Sequence, residues 1–339
     1  MNALVCSAPG LFEYQKTDEP KGKPAHSIIK IKRIGVCGTD LHAFEGTQPF
    51  FNYPRILGHE LAGDIVETSA SGGFASGEAI TIIPYYYCGH CIACRSGKPN
   101  CCVSMKVCGV HVDGGMVEYL QVPDDALVHG DGLSYDELAM AEPFAIGAHG
   151  IQRASITAGE FVLVVGAGPI GLGAMEFARI AGARVIAMDV NEKRLRFCKE
   201  KLNISHTVLA GTHEGIAELK EITNGDMPSV VIDATGNKKA ITRGIDYLAH
   251  GGRYILIGLQ KEDICISHPE FHKREAALLG SRNATRKDFD QVITSIRDRK
   301  INPDAYISHR VSFNEVKNVF SSWLDPASGA IKPMIEMSK

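Results

Sequence analysis

Short apolar runs alternate with longer amphipathic segments through the second half of the chain. Six runs of strand length follow residue 148: FVLVVGAG, RVIAMD, HTVLAG, VVIDATG, RYILIGL and AALLGS. The segments between them are long enough for helices, and this alternation predicts βαβ units in a doubly wound parallel sheet. We therefore expect an α/β domain over residues 148–281.

The first 147 residues show a different pattern. Their apolar runs are short and rich in β-branched residues, and turn signals such as SGG and VDGG separate them. SIIKIKRIGVC, ELAGDIVET, EAITIIPY and MVEYLQVP are examples, and they predict a β-rich, partly barrel-like domain. After Gly280 the sequence predicts one helix, KDFDQVITSIRDRK, and one strand, ISHRVSF. We expect residues 1–147 and 282–339 to form this second domain together.

Length and composition support two domains and exclude several classes of protein. A chain of 339 residues is too long for one compact core. No run reaches 18 apolar residues, and the N-terminus lacks the basic and apolar regions of a secretory signal. A net charge of −3 without a long basic run argues against a nucleic-acid partner. We expect a cytoplasmic protein with a small-molecule substrate and no membrane contact.

A glycine-rich turn follows the first of the six runs. Gly166, Gly168 and Gly171 form a G-x-G-x-x-G motif that closes a strand and opens a helix. Gly166 allows a tight turn, Gly168 lets the backbone approach a pyrophosphate, and Gly171 permits close helix–strand packing. The helix N-terminus then offers N–H groups and a positive dipole end to the phosphates. The motif predicts a Rossmann dinucleotide site.

The next strand ends in Asp189, about 20 residues beyond the glycines, where a carboxylate accepts hydrogen bonds from the adenosine ribose. A 2′-phosphate would meet negative charge there, so NAD is favoured over NADP. Arg194 could assist NADP only by turning toward that position. Arg194 is also expected to contact the cofactor, as are Pro169, Ile170, Thr235 and Gly258.

Five of the ten cysteines lie in one stretch, CGHCIACRSGKPNCC. Cys88, Cys91, Cys94 and Cys102 follow the spacing C-x2-C-x2-C-x7-C, which is typical of a closed, tetrahedral zinc site. The doubled cysteine leaves Cys101 as an alternative fourth ligand. Disulfides are disfavoured because cytoplasmic thiols stay reduced. A closed zinc site has no open position for a substrate, so segment 88–102 predicts a structural lobe.

A second group of candidate metal ligands is dispersed along the chain. GVCGTDLH contains Cys37, RILGHELAG contains His59 and Glu60, and AMAEPFAIGAHG contains Glu142. Cys together with His favours zinc over Mg²⁺ or Ca²⁺. A glutamate among alanine, methionine, proline and phenylalanine is costly to bury without a partner. The alternative for Glu142 is an exposed position at a helix N-terminus.

These motifs, in this order, resemble the medium-chain zinc alcohol dehydrogenases over essentially the whole chain. The motifs concerned are GVCGTDLH, GHE-x-x-G, the four-cysteine segment, EP-x-x-x-x-x-H and GAGPIG. Glu142 with Pro143 stands where simple alcohol dehydrogenases have a cysteine ligand, which is similar to the polyol, threonine and sugar-acid branch. PFFNYPRILGHE and GVHVDGG look like the L-galactonate and L-idonate oxidoreductases. The implied fold is a GroES-like β-rich catalytic domain with a Rossmann domain.

The resemblance implies two zinc ions per chain. Cys37 and His59 match the two shared ligands of the catalytic zinc. Glu60 and Glu142 match carboxylates that bind or exchange at that zinc, and which of them is bound stays open. The cysteine-rich segment matches the structural zinc lobe, with Cys102 rather than Cys101 at the matching position.

The resemblance also assigns catalytic and substrate-binding residues. Thr39 and Glu60 would act at the zinc, and Thr39 matches the residue that touches the zinc-bound alcohol. His42 matches the far end of a proton relay, and its alternative is a plain surface position. Arg282 matches an arginine that faces substrate or cofactor, and its alternative is an interdomain salt bridge.

The implied reaction is hydride transfer between a secondary alcohol, a polyol or sugar acid, and NAD through a zinc-bound alkoxide. L-Threonine 3-dehydrogenase and a simple alcohol dehydrogenase stay open as alternatives, and a non-enzymatic NAD- or zinc-binding protein is a more distant one. The zinc-free quinone oxidoreductases share the fold but need no pair such as Cys37 and His59. The family implies a homodimer or homotetramer.

Overall fold

The structure, a computed structural model, describes residues 1–48, 51–211 and 215–337. The chain divides into a first unit, Met1–Pro143 with Thr285–Lys339, and a second unit, Phe144–Ala284. Within the described residues, no helix has the length and apolar character needed to cross a membrane.

The N-terminal part of the first unit consists mainly of strands. They are β1 (Asn2–Ala8), β2 (Leu11–Lys16), β3 (His26–Gly35), β4 (Arg55–Ile56), β5 (Glu60–Glu67), β6 (Ala79–Ile82), β7 (Tyr85–Tyr86), β8 (Lys106–Val107), β9 (Tyr119–Pro123) and β10 (Leu127–His129). Short helices lie between them: α1 (Gly38–Glu45), α2 (Ile92–Arg95) and α3 (Tyr135–Ala139). Helix α4 (Ala141–Ala154) follows.

The second unit alternates strands and helices, and the C-terminal segment adds two strands to the first unit. The second unit contains β11 (Phe161–Val165), α5 (Pro169–Ile180), β12 (Arg184–Asp189), α6 (Glu192–Leu202), β13 (His206–Leu209), α7 (Gly215–Ile222), β14 (Val230–Asp233), α8 (Lys238–Arg243), β15 (Arg253–Leu256), α9 (His268–Lys273) and β16 (Ala277–Gly280). The C-terminal segment contains α10 (Arg286–Arg297), β17 (Ile307–Ser312), α11 (Val316–Val319) and β18 (Lys332–Glu336).

In the second unit, the six described strands form one parallel sheet in the order β13-β12-β11-β14-β15-β16. Strands of such a sheet are covered on both faces, which explains their continuous apolar runs. The interior residues Val162, Leu163 and Val164 of β11 are fully buried. The α/β class with a doubly wound parallel sheet, expected from the six runs, is confirmed.

In the first unit, the main sheet has the order β10-β6-β5-β3-β18-β17, and β9 also pairs with β3. The apolar side chains of β3 alternate with polar ones and enter a core that includes Ile29, Ile31 and Ile34. Strand β18 runs antiparallel to β3, which in turn runs antiparallel to β5. The C-terminal strand therefore lies two strands away from the start of β5.

An aromatic cluster anchors helix α1. The ring of Phe44 stacks on Phe12 at 5.0 Å between centroids and meets Phe320 edge-on at 5.2 Å. Phe320 also contacts Trp323 at 5.5 Å. All four rings are buried, so the helix that begins just after Cys37 is packed firmly against the first unit's core.

Candidate functional site

Cys37 lies at the N-cap of α1, with an extended backbone at φ −91° and ψ 155°. Its N–H donates to Asp40 Oδ2 at 2.9 Å, and the Asp40 N–H donates back to the Cys37 carbonyl at 3.0 Å. The bond from the Cys37 N–H to the Asp40 side chain is the part of a capping box in which the third residue of the helix satisfies the cap residue. The cap therefore holds the Cys37 backbone in place.

His59 and Glu60 lie at the start of β5, and their side chains are buried. The thiol of Cys37, a ring nitrogen of His59 and a carboxylate oxygen of Glu60 all lie within 4.8 Å of one another. A sulfur, an imidazole nitrogen and a carboxylate oxygen form a donor set that suits Zn²⁺. The structure thus brings together three side chains that lie apart in the sequence.

Asp40 lies beside the ring of His59 and supports this centre. Its Oδ1 accepts the N–H of Gly58 at 3.2 Å and lies 3.6 Å from His59 Nδ1. Burial alone would raise the pKa of Asp40, but His59 and the two backbone N–H donors hold it below its ordinary value. A carboxylate beside the second ring nitrogen commonly orients a zinc-bound histidine. Sequence reasoning missed Asp40, although its place three residues after Cys37 is a capping signal.

The electrostatics of the centre favour a cation. Burial would lower the pKa of His59, yet Asp40 and Cys37 raise it well above its usual value. Its buried Nδ1 has no hydrogen-bond partner among the described residues. A site that favours an extra proton on a buried histidine also favours a metal ion, which would replace that proton. The donor set and its charge therefore fit zinc.

Glu60 has a second partner that the sequence analysis did not identify. Lys332, the first residue of β18, donates to Glu60 Oε1 at 2.5 Å and to Oε2 at 2.6 Å. The side chains of both residues are buried, with exposed fractions of 1% and 0%. The one sequence signal for this partner was the position of a lysine within the otherwise largely apolar run IKPMIEM, where a buried charge needs a partner.

Glu142 is buried in α4 but lies outside the group of side chains within 4.8 Å of one another in the described structure. The hydroxyl of Tyr85 donates to Glu142 Oε1. Burial raises the pKa of Glu142, and nearby Glu60 raises it further, while His59 opposes this. Tyr85 is the first of three consecutive tyrosines, a run that by itself indicates packing. Its role as the partner of a buried carboxylate was missed.

The remaining residues expected at this centre lie in more open positions. Thr39 is the second residue of α1 and is half-buried. The His42 side chain is 64% exposed, with Nδ1 3.7 Å from Glu45 Oε2 and 3.3 Å from Thr47 Oγ1. Arg282 follows β16 in the second unit and is exposed. The structure thus places the His42 side chain in contact with solvent.

The cysteine-rich segment forms a separate cluster. The sulfurs of Cys88, Cys91, Cys94 and Cys102 lie within 4.8 Å of one another, and Cys101 is exposed and outside this group as described. The Cys91 sulfur is 3.5 Å from that of Cys94 and 3.9 Å from that of Cys102. Zn–S bonds of about 2.3 Å in a tetrahedron place sulfurs about 3.8 Å apart. The cluster therefore has the dimensions of a four-thiolate zinc site.

Backbone N–H groups help to ionise this cluster. Hydrogen bonds from the backbone of Cys94 and Val103 lower the pKa of Cys91 to about 6. The N–H groups of Cys88 and Ser104 both donate to the Cys102 sulfur, at 3.3 and 3.4 Å. Burial and the neighbouring Cys91 raise the pKa of Cys94 to about 12. Four thiolates this close together repel one another, so all four can be ionised at once only when a cation is bound between them.

The glycine-rich turn joins β11 to α5. Gly166 has φ +100°, a conformation that favours glycine, and a Cβ on Gly171 would lie 1.8 Å from the Gly166 carbonyl oxygen. A Cβ on Gly168 would meet no atom within 4 Å, so open space lies beside the first turn of α5. Pro169 is the first residue of that helix. The turn can therefore receive an anionic group at a helix N-terminus.

Asp189, the last residue of β12, is held by two backbone donors. Its Oδ2 accepts from Ala167 N–H at 2.6 Å, and its Oδ1 accepts from Asn191 N–H at 2.8 Å. The guanidinium of Arg194 lies 3.9 Å from Oδ2. Each oxygen keeps a second lone pair, so this rigid carboxylate can still accept hydrogen bonds from hydroxyl groups.

The other expected cofactor residues lie at the carboxyl ends of β14 and β15. Thr235 Oγ1 donates to Asp233 Oδ2 at 2.8 Å, and Gly258 N–H donates to the Asp233 carbonyl at 3.1 Å. A Cβ on Gly258 would lie 2.2 Å from Gly236 N. Ile170 is half-buried in the first turn of α5. Ligands of open α/β sheets bind at this end of the strands.

Two family models match the chain. Residues 23–131 match the alcohol dehydrogenase GroES-like domain, and residues 169–298 match the zinc-binding dehydrogenases. Over 315 residues the chain is 42% identical to the L-galactonate-5-dehydrogenase of Escherichia coli K12, an alignment that covers 92% of each protein.

Solved structures with the same fold contain nicotinamide cofactors. An alcohol dehydrogenase from Escherichia coli CFT073 complexed with NADH has a TM-score of 0.92 and 27% identity, over 99% of each chain. A zinc-binding dehydrogenase from Sinorhizobium meliloti 1021 bound to NADP has a TM-score of 0.90 and 28% identity, over 99% of this chain and 98% of that one.

The cysteine cluster can be tested with a matched pair of substitutions. We expect Cys94→Ser to lower the zinc content by one equivalent per chain and to lower the melting temperature, because a structural site contributes its binding energy to folding. Cys101→Ser should leave zinc content and melting temperature unchanged. Elemental analysis and thermal unfolding measure both. Loss of zinc in Cys101→Ser, with retention in Cys94→Ser, would contradict the assignment.

Proposed function

The chain belongs to the zinc-dependent medium-chain alcohol dehydrogenases, and from this premise we propose that it oxidises a secondary hydroxyl of a sugar acid such as L-galactonate with NAD⁺. The chain is an oxidoreductase that acts on CH–OH donors and uses zinc and a nicotinamide cofactor. The substrate, the choice between NAD and NADP, the number of zinc ions and the roles of individual residues belong to the proposal.

One observation carries the proposal: the ligand atoms of Cys37, His59 and Glu60 all lie within 4.8 Å of one another, with His59 and Glu60 buried and Cys37 half-buried. It lies in the unit that matches the alcohol dehydrogenase GroES-like domain. The relative named L-galactonate-5-dehydrogenase supports a sugar acid as the substrate, since the alignment covers 92% of both proteins.

Zinc bound by Cys37, His59 and a carboxylate supplies Lewis acidity, which lowers the pKa of a hydroxyl group in contact with it. The protein contributes orientation and proton transfer. Asp40 orients the imidazole of His59 by charge attraction, since its carboxylate lies 3.6 Å from Nδ1. Thr39, on the first turn of α1, accepts the proton of the substrate hydroxyl, and the exposed His42 passes it to water.

For the cofactor we propose NAD rather than NADP. The carboxylate of Asp189 is held by two backbone N–H groups and cannot turn away easily. It would accept hydrogen bonds from both ribose hydroxyls of NAD and would repel the 2′-phosphate of NADP. The pyrophosphate would lie at the N-terminus of α5, beside Gly168.

We also propose a homodimer formed through β16. This strand ends the parallel sheet among the described strands. Unlike its neighbour β15, whose residues are buried or half-buried, it exposes Ala277, Leu278 and Gly280, and Leu278 is 39% exposed. An edge strand with exposed apolar side chains is a template for pairing with another chain. A second copy would extend the sheet and cover these residues.

A substrate panel followed by NADH absorbance tests the proposed function. We expect turnover with NAD⁺ and L-galactonate, weaker turnover with sorbitol, and little with L-threonine or ethanol. Preference for threonine or ethanol would replace the proposed substrate. A zinc-loaded protein that reduces no NAD⁺ with any of the four would contradict the proposed function.

The matched control for that panel compares two cysteines. Cys37→Ser should lower kcat/KM by roughly a thousandfold, because a metal contributes several kcal/mol of transition-state stabilisation, while NADH binding by fluorescence titration stays measurable. Cys265→Ser, at an exposed position in the second unit, should keep full activity.

Cofactor choice can be tested by neutralising Asp189. Asp189→Asn should reduce the preference for NAD⁺ over NADP⁺, measured as the ratio of kcat/KM values, by at least about tenfold, since like charges in contact cost several kcal/mol. Glu192→Gln removes an exposed charge nearby and should leave the ratio unchanged. An unchanged ratio in Asp189→Asn would show that another group discriminates the cofactors.

The oligomeric state can be measured by light scattering coupled to size-exclusion chromatography. We expect Leu278→Lys to yield a monomer of 36.6 kDa, because a charge on an edge strand opposes pairing. Val66→Lys places the same charge at an exposed position of β5 in the first unit and should leave the dimer intact. Equal masses for the wild type and Leu278→Lys would contradict the proposed interface.

A further inference from the structure

Lys332 is a buried lysine whose hydrogen bonds converge on one candidate metal ligand. Its ammonium donates to both oxygens of Glu60, at 2.5 and 2.6 Å, and to the carbonyl of Val36 at 3.2 Å. A lysine ammonium has three N–H donors, and these three acceptors account for all of them. All three N–H donors of Lys332 are therefore used, and two of them bind the two oxygens of the Glu60 carboxylate.

Stability alone does not explain this pair. Removing two charges from water costs more than their attraction returns in many buried pairs, and apolar residues of similar volume often stabilise a core equally well. Lys332 begins a strand whose next three residues are buried. The surroundings would accept an apolar side chain, so the charge at this position points to a role at the metal centre.

The sheet provides a gap through which the two side chains meet. Gly35, on β3, pairs with Met334 of β18 on one side and with Glu60 of β5 on the other. A Cβ at position 35 would lie 2.2 Å from Glu60 Oε2. A side chain there would push the carboxylate away from its present position. Gly35 thus creates the space in which Glu60 reaches Lys332.

The same carboxylate also belongs to the metal centre, since one of its oxygens lies within 4.8 Å of the Cys37 sulfur and a His59 ring nitrogen. Glu60 therefore faces the ammonium of Lys332 and would also face a metal ion held by Cys37 and His59. An ammonium that occupies both oxygens weakens a carboxylate as a metal ligand, because its lone pairs and charge are shared.

We propose that Lys332, acting across the gap at Gly35, is a positioning residue that keeps Glu60 a weak, releasable ligand of the catalytic metal. This inference rests on the proposed function in that zinc occupies the Cys37 and His59 centre. With Lys332 in place, the ammonium holds both Glu60 oxygens, so this carboxylate would bind a zinc ion at Cys37 and His59 only weakly. Without Lys332, the Glu60 carboxylate would have no competing cation and would bind that zinc more firmly.

The test measures how fast zinc leaves the protein in the presence of a chromogenic chelator. The phase of release that is absent in Cys37→Ser identifies the catalytic ion, so the lobe does not interfere. We expect Lys332→Met to slow this phase by about tenfold or more, the scale on which neighbours of metal ligands alter metal affinity. Lys32→Met, the same change at the half-buried ion pair of Lys32 with Asp64, should leave the rate unchanged.

Two further variants separate the proposal from a folding defect. Gly35→Ala keeps Lys332 but closes the gap, and it should slow the same phase. Lys332→Met combined with Glu60→Gln should restore release to the wild-type rate or faster, because an amide is a weak zinc ligand. If Lys332→Met does not fold, Gly35→Ala alone decides the question. A release phase in the tested variant as fast as in Lys32→Met would overturn the proposal.

The rate of zinc release can be measured whether or not the protein turns over a substrate. Should the wild type bind zinc yet oxidise no alcohol in the substrate panel, the proposed function fails while slower release in Lys332→Met still supports the role of Lys332. Should the wild type oxidise its substrate while Lys332→Met and Lys32→Met release zinc equally fast, the role of Lys332 fails and the proposed function stands.

Discussion

One carboxylate, that of Asp40, connects the two segments that carry the metal ligands. It accepts the N–H of Cys37 and the N–H of Gly58, and it lies beside the ring of His59. The first segment starts a helix and the second precedes a strand, so neither would hold its ligand toward the other by itself. Because Asp40 is buried, these charge-assisted hydrogen bonds are worth more than they would be in water. The geometry of the centre depends on this side chain.

The sequence predicted much of the architecture because the signals are local. Six apolar runs became six parallel strands, the glycine motif became the β11–α5 turn, and the family expected from the motifs is the one that the comparisons support. These features follow from periodicity, from glycine's freedom at positive φ and from the spacing of cysteines. Each can be recognised within about 30 residues of chain.

The partners of the buried charges could not be predicted in the same way. Lys332 and Glu60 are 272 positions apart, and Tyr85 and Glu142 are 57 apart. No periodicity connects such residues, since their contact depends on the order of strands β5, β3 and β18 in the sheet. Residue type alone was also misleading, because a tyrosine in a run of three is more often a packing residue than the hydrogen-bond partner of a buried carboxylate. The sequence identified candidate ligands but not the residues that hold them.

The aromatic cluster under α1 has a consequence for spectroscopy. The chain has a single tryptophan, and Trp323 contacts Phe320, which in turn contacts Phe44 on the helix that follows Cys37. Intrinsic emission excited at the red edge of the indole band therefore comes from one buried fluorophore in a known place. The wavelength and the quenching of this emission would report how tightly helix α1 is packed, without any added label. Because Trp323 belongs to the first unit, the signal comes from that unit and not from the second.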